Sequence, residues 1–111
     1  MKSKYSVFMS KTKRTKITAR ERISDFVEAT YSDYSNKILL ADGFDEAFLG
    51  IGENSEGNPV AVYSIEKCLD ILEQQFKDEE DPIADAIDFF EFNVKGSYVG
   101  EFTPMFVNMF P

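Results

Sequence analysis

The residues best equipped for chemistry in this sequence are carboxylates. Asp42, Asp45, Glu53, Glu91 and Glu101 would, if brought to one point, offer the several oxygen ligands that Mg2+ or Ca2+ requires. Two of them side by side could also serve a hydrolase as acid and base. The spacing points to a plainer duty, because the interval from Asp42 to Glu53 lacks the ligand pattern of a calcium loop and Asp42-Gly43 is turn chemistry. Asp42, Asp45, Glu53 and Glu101 are therefore assigned to an acidic surface, and no metal, cofactor or catalytic residue is assigned. The sequence holds no His and a single Cys, Cys68. Triads and imidazole-based proton transfer are thereby excluded, zinc would lack its usual ligands, and neither common phosphate-cradling glycine loop occurs. Cys68 has no His to activate it and falls on the apolar side of a predicted helix, so it is expected to be a buried structural thiol.

Cations are concentrated at the other end of the chain. Residues 1–22 hold eight Lys or Arg against Glu21 alone, a charge of +7, whereas residues 23–111 hold four basic and nineteen acidic residues, a charge of −15. Lys11, Lys13, Arg14 and Lys16 lie within six residues, with Tyr5 and Phe8 nearby to stack on bases. This makes the segment a candidate nucleic-acid contact. The competing reading is an arm that folds against its own acidic body, since that body would repel a phosphate backbone. Residues 1–16 are expected to be a flexible or loosely docked basic arm. Residues 17–111 are expected to be one compact domain, because 111 residues with 43% hydrophobic content suffice for a single core. No apolar run is long enough to cross a membrane and no signal-peptide pattern occurs, so the expectation is a soluble, intracellular protein.

The elements that must position these groups are organised around Ile38 to Tyr63. Three apolar runs, Ile38–Ala41, Phe48–Ile51 and Val60–Tyr63, are separated by turn residues and predict three short strands, the last two as an antiparallel hairpin. Gly50 and Gly52 predict a bulge or a close backbone approach, with a slack loop end as the equal alternative. Thr18-Ala19-Arg20-Glu21 fits a capping box that starts a helix with Ile23, Phe26, Val27 and Tyr31 on one face, ending at Ser35-Asn36. Ser64 caps a second helix with a stripe of Ile65, Cys68, Leu69, Ile71, Leu72 and Phe76. Asp81-Pro82 opens a third, whose inner face is Ile83, Ala86, Ile87, Phe90 and Val94 and whose stop is Lys95-Gly96, with Gly96 in the left-handed conformation. The aromatic remainder predicts an edge strand, confined there by Pro104. The fold class is thus α+β, a small antiparallel sheet of about three strands, with a C-terminal edge strand, packed with two to three helices.

Asp42-Gly43-Phe44-Asp45 with Ala47 and Gly50, then Val60–Tyr63 and Lys67-Cys68, then Glu91-Phe92-Asn93-Val94 with Gly96, Tyr98–Glu101 and Thr103-Pro104, together resemble a family of short uncharacterised proteins encoded in tailed-phage genomes. The resemblance spans roughly residues 38–107, leaves out the basic arm, and implies a phage origin without implying a mechanism. The expected function is a non-enzymatic accessory protein in the host cytoplasm that binds a host or phage protein. Its acidic surface could occupy a host factor's nucleic-acid groove by charge mimicry. Tyr98, Phe102, Met105, Phe106, Met109 and Phe110 are more large apolar side chains than an edge segment can bury, so they are expected to form a partner or homodimer interface. Nucleic-acid binding through the arm is the second reading and a carboxylate-dependent hydrolase the third.

Overall fold

A computed structural model describes residues 18–111. The expected basic arm, with Tyr5, Phe8, Lys11, Lys13, Arg14 and Lys16, lies outside the described residues. The first helix, α1 (Ala19–Thr30), opens with both halves of the capping box: Thr18 Oγ1 accepts from the Glu21 amide at 3.1 Å, and Glu21 Oε1 accepts from the Thr18 amide at 3.0 Å. Ile23 and Val27, one turn apart, are its buried residues. It stops at Thr30, earlier than the expected Ser35-Asn36. Thr30, Ser32 and Asp33 are weak helix formers whose side chains compete for the backbone, and the chain tightens into a 3-10 turn at Ser32–Tyr34.

The expected first strand is absent. Ile38–Ala41 is irregular, because its amides are satisfied elsewhere: Ile38 donates to the Tyr34 carbonyl at 3.0 Å and Ala41 donates to the Tyr63 hydroxyl at 2.8 Å. Ile38 and Phe44 are buried, so the run serves the core without joining the sheet. After a short 3-10 turn at Asp45–Ala47, β1 (Phe48–Glu53) and β2 (Pro59–Ser64) form the expected antiparallel hairpin. Its turn is held by Asn54 Oδ1, which accepts from the amides of Glu56 and Asn58, each at 3.0 Å. The register slips between Phe48 and Gly50, where Gly50 adopts φ 155, a conformation that side-chain-bearing residues avoid.

The third strand comes from the C-terminus. β3 (Met105–Val107) pairs in parallel with β2, giving the order β1-β2-β3 and a mixed sheet where an antiparallel one was expected, within the expected α+β class. Parallel pairing needs a crossover. Here the connection carries α2 (Ile65–Gln75) and α3 (Pro82–Phe89), both capped as the sequence predicts: Ser64 Oγ accepts from the Lys67 amide, and Asp81 from that of Ala84. Beyond α3 the helix widens into a π turn at Phe90–Lys95. The inner face of α3 is narrower than expected. Ala86 and Phe90 are buried, whereas Ile83 and Ile87 face outward. Gly96 stops the helix, as a correction to its expected role, in a right-handed conformation (φ −79). Its missing side chain matters for a close approach, since a Cβ there would lie 3.1 Å from the Glu91 carbonyl oxygen.

The core is an aromatic column through the central strand. Tyr63, fully buried, stands 5.7 Å from Phe48 and 5.7 Å from Phe106, and Phe106 meets Phe90 edge-on at 5.4 Å. Such pairs add about 0.5–1.5 kcal/mol each beyond the area they bury. Cys68, Leu72 and Ala61 pack around this column with Ile23, Val27, Ile38, Phe44 and Ala47.

Candidate functional site

Two segments, the irregular Leu39–Phe44 and the stretch Asn93–Phe106 that runs from the end of the π turn into β3, face each other across a half-open cavity of about 420 Å3, within the range of roughly 300–1,000 Å3 usual for ligand sites. Tyr63 fixes one wall from beneath by accepting the Ala41 amide, and Phe106 carries the aromatic column to the opposite wall. The π turn presents Asn93 and Val94 to the space, and π turns of this kind recur at functional sites. The far wall is braced by Thr103, whose hydroxyl donates to the Gly100 carbonyl at 2.6 Å and accepts from the Val99 amide at 3.0 Å. Ser97 donates to the Asn93 carbonyl at 3.1 Å. The hydroxyls of the lining are thus committed to holding the backbone. What remains is a mainly apolar hollow of Leu39, Leu40, Phe44, Val94, Val99 and Phe106, with Asn93 and Asp42 as its other polar side chains. Such a site can hold an apolar group, and its lining supplies neither a thiol nor an imidazole to transform one.

The candidate carboxylates do not converge. Asp45 takes a forked contact from Arg20, with Nε at 3.1 and 3.2 Å and Nη2 at 3.0 Å, while Asp42 accepts from the same Nη2 at 3.2 Å. Asp45, then Asp42, hold the Arg20 guanidinium protonated beyond its ordinary range, against the opposing effect of partial burial. Glu91 pairs with Lys95 one turn away at 3.6 Å. Glu101 accepts from the Asn58 side chain at 3.4 Å, and its carbonyl from that of Asn54 at 2.8 Å, tying the C-terminal segment to the hairpin turn. Glu53 sits exposed at the end of β1. Among the described residues no three Asp, Glu, Cys or His side chains are grouped to hold a metal. Asp42, whose side chain is 95% exposed, Glu53 and Glu101 all lie at the surface. Cys68 is fully buried, and burial pushes its thiol up to about 11, far from the thiolate a nucleophile needs.

The candidate interface residues divide into two groups. Phe106 is packed in the aromatic column and Phe102 rests on the core with its ring 6.1 Å from Tyr34. Tyr98 and Phe110 are 78% and 97% exposed, and Met105 and Met109 are exposed beside them. Phe92, which spacing did not single out, is 81% exposed. The cavity itself was also not foreseen. Its two walls lie some fifty residues apart in sequence and carry no periodic pattern. The only trace was the resemblance, whose stretches Asp42–Phe44 and Glu91–Pro104 turn out to face one another here. Among the described residues no helix is long and apolar enough to cross a membrane. No family model matches the chain, and neither a curated protein nor a solved structure does.

Proposed function

We propose that this is a phage-encoded accessory protein, a binding module without chemistry of its own that engages a basic protein partner in the host cytoplasm. The observation that carries this reading is the placement of exposed apolar side chains. Nine of the thirteen large exposed hydrophobic residues among those described lie at or beyond Ile83, with Phe92, Tyr98 and Phe110 the most exposed. Large exposed apolar side chains in such number are a feature of interaction surfaces, and aromatic side chains are the commonest anchors of protein interfaces. Charge supplies the selectivity. Residues 18–111 carry six basic and twenty acidic residues, a charge of −14, so a basic surface would be steered toward the module and an acidic one turned away. The phage origin rests on the resemblance described above.

The test is site-specific photo-cross-linking in infected cells, with a benzophenone side chain at position 92, 98 or 110 and, as control, at Asp25 on the exposed side of α1. A discrete adduct from the first three positions is expected, lost when Tyr98→Ser and Phe92→Ser are introduced together while the melting temperature holds. Adducts no stronger than those of the control would count against the module.

A further inference from the structure

We infer that the hollow between the hairpin turn and the C-terminal segment receives the guanidinium of an arginine side chain presented by the partner. This deepens the partner reading above and rests on it for the source of the arginine. The hollow, of about 290 Å3, joins Glu56 of the turn to Tyr98, Glu101, Pro104 and Met105 of the C-terminal segment, and its lining contains no Lys or Arg. Its two sides are fixed to each other. The Asn54 side chain donates to the Glu101 carbonyl at 2.8 Å, and the Asn58 side chain donates to Glu101 Oε1 at 3.4 Å. Thr103 stiffens the C-terminal side in turn, its hydroxyl tying Val99 to Gly100.

The charge here is local and uncancelled. The groups that hold Glu101 are neutral amides, so its carboxylate is positioned without being neutralised. Among the described residues neither Glu56 nor Glu101 enters an ion pair, whereas Asp42, Asp45 and Glu91 each do. The larger cavity lacks this property, since its one carboxylate, Asp42, already meets Arg20. Exposed carboxylates alone hold a cation weakly, because both sides stay hydrated. Tyr98 supplies a further attraction: it lines the hollow and is 78% exposed, and the face of an aromatic ring attracts a cation through its quadrupole. A guanidinium suits this combination better than an ammonium, because it is planar and weakly hydrated and can lie on a ring while its edge N–H groups reach carboxylates. Pro104 and Met105 offer apolar surface to the methylene stem.

The test is an NMR titration of the full chain with N-acetyl-arginine N-methylamide, its uncharged isostere N-acetyl-citrulline N-methylamide, and the corresponding lysine compound, at about 0.15 M NaCl. Saturable amide shifts confined to residues 54–58 and 98–105 are expected with the arginine compound, weaker ones with lysine and none with citrulline. Glu56→Gln with Glu101→Gln should weaken binding about fivefold, the combined effect of two exposed ion pairs, and the Gln carbonyl at position 101 still accepts from Asn58. Tyr98→Leu should weaken it about threefold, the loss of one exposed cation–π contact. Glu79→Gln with Glu80→Gln, in the exposed turn before α3, removes the same charge elsewhere and should change nothing. Equal weakening by that control pair would overturn the inference in favour of overall charge, and so would citrulline shifts matching those of arginine. Lysine binding as tight as arginine would overturn the choice of a guanidinium. No partner enters this titration, so its failure leaves the cross-linking reading standing, while absent cross-links beside a saturable arginine site would count against that reading alone.

Discussion

Tyr63 does two jobs with one side chain: its ring is the centre of the aromatic column, and its hydroxyl holds the Ala41 amide at the cavity wall. Tyr63→Phe keeps the ring and leaves that part-buried amide without its acceptor. The expected cost is about 1–3 kcal/mol, read by urea denaturation, together with faster hydrogen exchange at Ala41. Unchanged exchange there would mean that the wall is held by packing alone. Cys68 sets a different test. Its thiol is pushed to about 11 in the folded chain from an ordinary value of 9.0, so the folded state retains a proton that the unfolded state gives up first. The stability it contributes is complete below about pH 9 and is lost as pH rises toward 11. The loss is on the order of 2 kcal/mol, and Cys68→Ala should flatten that part of the stability curve measured between pH 8 and 11. Burial of Cys68 was legible in the sequence because it sits in a local helical stripe. The Arg20–Asp45 fork was not, because nothing local links residues 25 positions apart.

Elements closed by their own side chains were the legible ones. The starts of α1, α2 and α3 were all foreseen because Thr18, Ser64 and Asp81 each cap the amide three residues on. The hairpin was foreseen because its turn is built from Asn54 and its neighbours. Ile38–Ala41 misled because an apolar run records burial, which it has, and says nothing about which partner takes its amides. Ile83 and Ile87 misled because apolar spacing marks a broad stripe and does not say which edge of it meets the core: the helix buries Ala86 and Phe90, one turn apart, and leaves the neighbouring Ile83 and Ile87 outside. The bulge at Gly50 offers the sharpest test at this scale. A Cβ at Gly50 would meet nothing within 4 Å, so the cost of Gly50→Ala is purely that of φ 155. About 1–3 kcal/mol is expected from calorimetry or urea denaturation. Ser64→Ala, which removes the α2 cap, should cost about 0.5–2 kcal/mol. A Gly50→Ala chain as stable as the parent would show that the hairpin can absorb the bulge by shifting register.

At the scale of the whole molecule, charge and exposed apolar surface pull in opposite directions. A net charge of −8 keeps copies apart, while Phe92, Tyr98, Met109 and Phe110 favour contact. The sequence announced this tension through composition, and even named most of the aromatics, but it could not separate those buried in the column from those left outside. That separation predicts two classes of variant. Phe106→Ser removes a half-buried member of the column and should cost about 3 kcal/mol, the low end of the range for a core Phe, whatever it does to association. Tyr98→Ser and Phe110→Ser should leave thermal stability within about 0.5 kcal/mol of the parent and act on association alone. Salt then distinguishes the two kinds of mate. If a second copy covers the surface, raising NaCl from 0.15 to 1 M, which shortens screening from about 8 to 3 Å, should strengthen association by relieving like-charge repulsion. If a basic protein covers it, the same change should weaken binding, because the attraction that steers the pair is screened. Light scattering on the protein alone and titration against a captured partner, each with and without Tyr98→Ser, read the two signs directly. Association insensitive to both salt and Tyr98→Ser would place the contact surface away from this face of the molecule.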